Sequence, residues 1–320
     1  DSLPAEVHGQ QPGSAYNGHY GCRCFHPLIL SWEFGDYLGG RLREGNVYTS
    51  TDALAFLLPY LRWAAGYARR VWLRADAGFP AEPFLAGLEA EPEVRYVMRL
   101  KSNAVLERLA APHVDRILKK EVPEDRAHTI KLSYAAQSWS RERRVVLVIE
   151  ERPDELMPHW FFLLTHATPE EAPGAALLAH YRKRGATEKD YGDWTNALDL
   201  ALSSTNRPKS TYGGQVPQRR SSPVDSFAAN EAILLMHLVA ANLMHAGRCL
   251  SERARRPLWS RETFRRLVLK TSAHLARSSR YVTFWIDHHR TRYWEQIAQE
   301  MRRLPPIRGS PTLPALPTPA

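Results

Sequence analysis

The hydrophobic and polar positions in the first third of the chain predict an α/β domain. Residues 14 to 48 alternate and carry many aromatic side chains, which is typical of two or three antiparallel strands joined by tight turns. One such turn is expected at 33–36. Helix-like and strand-like runs then alternate along the chain. Leucines at helical spacing predict the helices, and the short apolar runs between them predict the strands. The order helix, strand, helix, strand is expected at 52–69, 71–76, 81–90 and 95–100.

Strand patterns dominate the middle of the chain, and helical patterns dominate its C-terminal half. After a charged, weakly patterned stretch at 101–128, three strand-like runs predict a β-rich insertion. Those runs are 129–139, 143–151 and 159–166. Helices are expected near 170–190, 224–250, 260–277 and 291–303, with a strand at 281–286. A proline-rich tail begins at Leu304 and is predicted to be disordered.

These patterns predict the domain organisation. We expect the first part of an α/β core at 1–100 and a β-rich insertion subdomain at 101–168. The rest of the core, with a mainly helical extension, is expected at 169–303, and a disordered tail at 304–320.

Composition adds a preference for a polyanionic partner. Lys and Arg outnumber Asp and Glu by 43 to 34, and cationic side chains that neutralise phosphates release condensed counterions. The odd cysteine count excludes a disulfide framework. Cys22 and Cys24 share a strand face and would suit zinc, but small core thiols in a reducing cytoplasm explain them more simply. Without a signal peptide or an apolar run near 18 residues, a cytoplasmic location and no membrane contact are expected.

Two acidic residues stand out because of the elements that carry them. Asp76 closes the strand at 71–76 just before a glycine turn, and α/β folds bind ligands at that edge of a sheet. A simple turn or a helix N-cap would use an aspartate in the same way. Glu188 follows Tyr181 and Arg184 at helical spacing, so the three side chains share one face of a helix. A surface ion pair between Arg184 and Glu188 is the alternative reading of that pattern.

Carboxylates on neighbouring elements are suited to divalent metal ions. Mg²⁺ prefers carboxylate and water oxygens, and two ions about 3.5–4 Å apart can prepare a phosphodiester for attack. The basic residues Arg182, Lys183 and Arg184 precede Glu188 and would hold the DNA backbone. Trp194 follows and would stack on an unpaired base, unless it belongs to the core.

Several motifs occur in the order of a known family, from residue 1 to about residue 300. They are His8–Gln11, Ala15–Cys22, Arg74–Phe79, Tyr181-x-x-Arg184-Gly185-x-x-Glu188 and Ser226–Asn230. Together they resemble the insertion-sequence transposases of the DDE superfamily, specifically the family numbered thirteen-eighty. Several motifs in register are more specific than any one of them.

The resemblance implies a fold, a reaction and a site. The fold would be an RNase H-like α/β core with an inserted β-rich subdomain and a mainly helical C-terminal extension. Asp1, Asp76 and Glu188 would be the catalytic and metal-binding acids and would hold two Mg²⁺ or Mn²⁺ ions, with Tyr181 and Arg184 near the phosphate at the cleavage site. The implied reaction is cleavage of transposon ends followed by strand transfer. The implied partners are double-stranded DNA, as terminal inverted repeats and target, and a second copy of the chain in the DNA complex.

The sequence departs from that family in two places. Thr195 stands where members usually have a lysine, seven residues after Glu188. The family also implies an N-terminal DNA-binding region and a strand before the first acid, so we expect a truncated chain, a poorly ordered Asp1 and low activity. The alternatives are a catalytically inactive DNA-binding remnant and an RNase H-like nuclease that hydrolyses DNA without strand transfer.

Overall fold

The computed structural model describes residues 1–7, 11–120, 127–152, 155, 157–185, 191–193, 202, 227–251, 259–279, 281–286 and 288–304. The chain divides into two compact units. The first unit comprises Asp1 and the described part of 47–186, and the second comprises the described parts of 2–46 and 187–312. Helices and strands occur in both, so the chain has a mixed α/β architecture.

The strands and helices are numbered in chain order within the described residues. The strands are β1 (Ala5–Glu6), β2 (Ala15–Asn17), β3 (Cys22–Phe25), β4 (Leu28–Ser31), β5 (Tyr37–Arg41), β6 (Val71–Ala75), β7 (Val94–Leu100), β8 (Ala127–Tyr134), β9 (Arg143–Glu150), β10 (His159–Thr165), β11 (Ala273–Arg277) and β12 (Val282–Ile286). The helices are α1 (Ala53–Ala65), α2 (Glu82–Glu89), α3 (Ala104–Leu118), α4 (Gly174–Arg182), α5 (Phe227–Ser251), α6 (Arg261–Phe264) and α7 (His288–Arg303). A π-helical turn, Arg265–Leu269, continues α6.

A five-stranded mixed sheet forms the centre of the first unit. Its strands lie in the order β6, β7, β10, β9, β8. Strands β6 and β7 are parallel, whereas β10, β9 and β8 continue the sheet in antiparallel pairs. Strand β9 is buried over nearly its whole length, as expected for a strand with both faces covered.

The three strands predicted as a β-rich insertion hydrogen-bond into the sheet that contains β6 and β7. The connection is made by β10, where Phe162 pairs with Leu100 and Leu164 pairs with Met98. Sequence patterns give the existence of each strand but not its neighbour, because pairing depends on contacts between distant residues. The subdomain boundary at residue 101 stays a prediction.

One helix was missed by the sequence patterns. Residues 101–128 look charged and weakly patterned, yet α3 occupies Ala104–Leu118. The side chain of Asn103 caps it by accepting hydrogen bonds from the backbone of Val105 and Leu106. Its buried residues are Leu106, Ala110, Val114 and Ile117. This narrow stripe at helical spacing was hidden by the charges around it.

In the second unit, α5 packs on the hairpin of β4 and β5. The predicted turn at 33–36 is confirmed, and Gly35 adopts a left-handed backbone with φ of 100°. Asn242 of α5 accepts a hydrogen bond from the backbone N–H of Tyr37 and donates one to its carbonyl oxygen, both at 2.8 Å. The amide group thus replaces a neighbouring strand at the open edge of β5.

Helix α5 is long and apolar enough to cross a membrane by length and composition alone. The sequence had predicted no such element. Glu231 and Asn242 bond to the backbone of the β4–β5 hairpin region, and Asn230 and Arg248 are buried. These polar contacts are those of a helix that packs one face on a folded unit, while Met236, Val239 and Leu243 are exposed.

The prediction of a helix over 260–277 is wrong in its second half. Ser260 caps α6 and the helical region ends at Leu269, after which β11 pairs in antiparallel register with β12. The run Ala273–Arg277 fell within that predicted helix, but its residues pair with a strand 5 to 13 residues further along the chain.

A cluster of charged side chains, the Arg143 cluster, lies between α2 and β9. Arg143 donates hydrogen bonds to Glu82 and to Glu89, and its side chain is 2% exposed. The hydroxyl of Tyr96 donates to Glu89 at 2.7 Å. The guanidinium also lies over the ring of Trp139, 5.1 Å from its centroid. Every charge in this cluster therefore has an internal partner.

Candidate active site

Asp76 lies directly beyond the C-terminal end of β6, as the sequence predicted. One of its carboxylate oxygens, Oδ1, accepts a hydrogen bond from the backbone N–H of Gly78 at 2.7 Å. This bond fixes the rotamer of the carboxylate in the turn that follows the strand. Among the residues that the structure describes, no cation forms a salt bridge with Asp76, which is half-buried.

Gly78 is required by the space around it. A Cβ atom at this position would lie 2.8 Å from Oγ1 of Thr49 and 3.1 Å from Oδ1 of Asp76. Any larger residue would therefore push on the carboxylate it positions. The Asp-x-Gly spacing is the sequence signal that would have identified Gly78 as a residue that orients Asp76.

Asp1 forms an ion pair with Arg184 across 183 positions of the chain. Nη2 of Arg184 donates to Oδ2 of Asp1 at 2.7 Å, and the two side chains are only 15% and 10% exposed. Although Asp1 was expected to be poorly ordered, it belongs to the same compact unit as Asp76 and Arg184. A nearly buried, charge-assisted bond is strong enough to fix a carboxylate.

Helix α4 carries Arg184 to this position because it is packed on one face of the sheet. Leu177 and Leu178 are buried against Val97, Val148 and Leu163. Their burial holds the helix axis, and therefore the residues that directly follow α4, at a fixed place on the sheet.

Two aromatic contacts fix the end of α4 more closely. The ring of His180 stacks on Trp72 of β6 with a centroid distance of 4.6 Å and an angle of 15°. Tyr181 lies against Phe161, with ring centroids 6.3 Å apart. Trp72 precedes Asp76 by four residues, so this stack ties the strand of one acid to the helix that leads to Arg184. No local signal in the sequence marks His180 as the partner of Trp72.

The loop before α4 is held by two arginines. Arg144 donates to the carbonyl oxygens of Ala167 and Ala172, both at 2.8 Å. Arg95 binds Glu171 through two nitrogens, and its hydrogen bonds lower the pKa of Glu171 to about 2. These bonds fix where α4 begins, which in turn fixes where Arg184 lies.

The predicted DNA-binding residues fall into different environments. Tyr181 is half-buried in the contact with Phe161, whereas Arg182 and Lys183 are exposed. Arg182 donates to Glu150 at 2.8 Å in a pair whose arginine is 57% exposed. Exposed pairs of this kind contribute little to stability, so a phosphate can replace the glutamate at low cost. Trp194, Thr195 and the third predicted acid, Glu188, lie outside the described residues.

The donor chemistry of this region fits divalent ions of the Mg²⁺ type. Asp1 and Asp76 supply carboxylate oxygens within one unit, and each has one oxygen fixed by a nitrogen donor. Within the described part of the chain, no group of three His, Cys, Asp or Glu side chains is gathered at metal-binding distance. A site of three acids would need Glu188, four residues beyond Arg184.

The surroundings of Cys22 and Cys24 do not favour the alternative prediction of a zinc site. Cys24 is buried, and burial raises the pKa of its thiol to about 11, with a further rise from neighbouring Cys22. Zinc binds the thiolate, and this environment favours the thiol. The pair is best explained as part of the packing around β3.

Comparison with known proteins identifies the family. A family model described as the transposase DDE domain, group 1, matches residues 1–210, which include Asp1, Asp76, Arg184 and Glu188. A search of curated proteins finds no match. The matched segment begins at the acid that pairs with Arg184 and extends beyond the signature around Tyr181. The chain therefore belongs to the family of transposase DDE domains, group 1.

Proposed function

We propose that the chain cuts the ends of a transposable element and joins them to target DNA, with Asp1, Asp76 and Glu188 as the metal-binding acids. The observation that carries this proposal is the 2.7 Å bond between Arg184 and Asp1. It brings the first acid to the segment that leads, four residues later, to the third. We also propose that the chain belongs to the insertion-sequence family numbered thirteen-eighty. Its catalytic core would have the RNase H-like fold.

The three acids would hold two Mg²⁺ or Mn²⁺ ions, which when bound supply charge stabilisation and an activated oxygen nucleophile. The residues of the chain provide position. The Gly78 N–H holds Oδ1 of Asp76, and the Arg184 guanidinium holds Oδ2 of Asp1. Both acids are thus oriented by nitrogen donors of the chain, and positioning is the main requirement of phosphoryl transfer.

The basic residues next to this site are suited to the DNA backbone. Lys183 is exposed, and Arg182 is held only by a solvent-exposed pair with Glu150. Both can therefore exchange their surroundings for phosphate oxygens. In this proposal the Tyr181 ring supports the helix end, and Trp194 stacks on a base displaced near the cut. The active assembly on DNA is proposed to be a homodimer.

The proposal is tested by cleavage of a plasmid that carries the terminal inverted repeats flanking the coding sequence of this chain. The purified chain is incubated with it in Mn²⁺, alongside Asp76→Asn and the matched control Asp52→Asn. The amide oxygen of the first variant can still accept the bond from Gly78, so folding is retained. Asp52 is exposed and makes no side-chain capping bond, so its variant tests the loss of a charge elsewhere in the same unit.

We expect nicking at the repeat boundary to fall by at least about 10³-fold in Asp76→Asn, the scale for losing charge stabilisation at a reacting centre. The Asp52→Asn variant should cut within about twofold of the parent chain. Equal cutting by Asp76→Asn would refute the assignment of Asp76. Joined products distinguish a transposase from a nuclease, and binding without any cutting by the parent chain would identify an inactive DNA-binding protein.

A further inference from the structure

The hairpin of β11 and β12, here called the 273–286 ribbon, stands apart from the other sheets of the second unit. Its two strands pair only with each other among the described residues. Five consecutive pairs join them, from Ala273–Ile286 to Arg277–Val282. Ser278 and Tyr281 close the turn through backbone and hydroxyl bonds. The ribbon is thus a regular element rather than a loose loop.

Both faces of this ribbon carry exposed side chains. Since paired residues of antiparallel strands share a face, Trp285 lies beside His274, and Tyr281 lies on the same face beyond Thr283. Tyr281 is 73% exposed and Trp285 is 66% exposed. The opposite face has Leu275, Arg277 and Val282, which are also exposed. None of the ribbon side chains whose burial the structure describes is buried, and a two-stranded hairpin of this kind is marginal alone, so its surface is suited to a partner.

The charge around the ribbon indicates what kind of partner this is. From Leu267 to Arg292, Asp287 is the sole acidic residue in the sequence, whereas the basic residues are Lys270, Arg277, Arg280, Arg290 and Arg292. Lys270 and Arg277 are exposed, and Arg277 makes no ion pair with any described residue. A protein partner for exposed rings would not require this excess of cations, whereas a phosphate backbone would.

We propose that the 273–286 ribbon binds single-stranded DNA, with Trp285 and Tyr281 stacking on unpaired bases on one face. Arg277, which lies on the opposite face in the last pair before the turn, would contact the phosphate backbone where the strand passes the turn. The two rings lie four residues apart on one strand face, roughly 13 Å at the usual rise, so each takes a different base. Aromatic rings accept every base because each base has a π face, and cations beside them hold the backbone. The proposal rests on DNA being the partner, as in the proposed function, and names a contact for unpaired strands.

The test uses fluorescence anisotropy with a labelled 20-nucleotide dT strand and the full chain. Trp285→Ala is compared with Trp32→Ala, since Trp32 is an exposed tryptophan of the same unit, 40% exposed, near the turn between β4 and β5. We expect Trp285→Ala to weaken binding about tenfold, within the range for removing one stacked base. Trp32→Ala should stay within about twofold of the parent chain. Circular dichroism melts establish that each variant is folded.

The salt dependence of binding tests the role of Arg277. Removing one phosphate contact from a single-stranded complex lowers the slope of log K against log salt concentration by about 0.7. We expect that change in Arg277→Ala. The control is Arg62→Ala, because Arg62 is already occupied by a pair with Glu91, and its slope should equal that of the parent chain.

Three results would overturn the proposal. The first is equal loss of binding in Trp285→Ala and Trp32→Ala, or no loss in either. The second is an equally large effect on a 20-base-pair duplex, which would make the ribbon a duplex-binding element. The third is unchanged DNA binding with altered sedimentation, which would make the partner another copy of the chain. Plasmid nicking by the same preparations is measured separately. If the ribbon variants refute single-stranded DNA binding while nicking is unchanged, the proposed function is not affected.

Discussion

Two arginines of the first unit bind carboxylates at close range, but their surroundings differ. Arg143 is held between Glu82 and Glu89 and makes four hydrogen bonds to them, with its side chain 2% exposed. Arg184 binds Asp1, and the same unit contains a further carboxylate, Asp76, without a cationic partner among the described residues. The charges of the Arg143 cluster are all paired within the protein, whereas the carboxylate of Asp76 has no cationic partner among the described residues.

This difference separates a structural ion cluster from a candidate active site. A buried charge cluster with every group bonded is costly to break but performs no chemistry. A carboxylate that is positioned by one backbone donor and lacks a cation is ready to bind one. Perturbed pKa values alone would have pointed to the Arg143 cluster, because the pKa of both Glu82 and Glu89 lies at about 2 there.

The largest effect is expected for Arg143→Met. It removes the buried cation that Glu82 and Glu89 share, and removing one partner of a buried pair costs roughly 3–5 kcal/mol of unfolding free energy. Urea unfolding measures the loss. Arg141→Met is the control, since Arg141 also binds Glu89 but is 61% exposed, and the expected cost is below about 1 kcal/mol. Equal losses in the two variants would contradict the distinction between buried and exposed partners.

Arg184→Met, in contrast to Arg143→Met, should reduce catalytic activity more than it reduces the stability of the fold. Asp1 loses the donor that fixes its carboxylate, and a displacement of about 1 Å at a reacting group lowers the rate by roughly 10²-fold. Plasmid nicking is measured at a temperature where the variant is folded by circular dichroism. Arg184→Lys should recover part of the rate, because it restores the charge at a different reach. If nicking were unchanged in Arg184→Met, the pair with Asp1 would be structural only.

Lowering the pH should weaken the Arg143 cluster and reduce the free energy of unfolding by less than Arg143→Met does. Hydrogen bonds from Arg143 lower the pKa of Glu82, and in Glu89 burial, which raises the pKa, is outweighed by bonds from Arg143, Arg141 and Tyr96. A lowered folded-state pKa gives stability that is present above the unfolded pKa and lost as pH falls toward about 2. We expect stability to decrease between pH 4.5 and pH 3, with Glu89, whose side chain is 3% exposed, contributing a loss on the order of 1 kcal/mol.

Urea unfolding across that pH range measures the effect, and Arg143→Met supplies the comparison. Without Arg143, the pKa values of the two glutamates move back toward their ordinary range, so the slope against pH should flatten. A variant that kept the slope of the parent chain would show that other carboxylates, such as Glu171, account for the acid sensitivity.

The sequence by itself determined the elements and much of the chemistry. Runs of apolar residues gave β6, β7, β9, β10 and α5 to within a few residues, because periodicity is a local property. The family was also in the sequence, as motifs in a fixed order, and the match over residues 1–210 confirms a DDE transposase domain. The prediction failed at α3, where charged residues concealed a narrow apolar stripe, and at β11, where a neighbouring strand rather than the expected helix took up the segment.

The tertiary structure decided which residues meet. Nothing local predicts that Arg184 reaches Asp1, that His180 stacks on Trp72, or that Gly78 must stay small beside Thr49. It also showed that strands predicted as an insertion hydrogen-bond to β7. Strand pairing and side-chain contacts depend on the path of the whole chain, and they gain their energy only when distant segments are buried together. The sequence was enough to propose Asp1, Asp76 and Glu188 as candidate acids, but only the fold could show that the guanidinium of Arg184 binds Asp1.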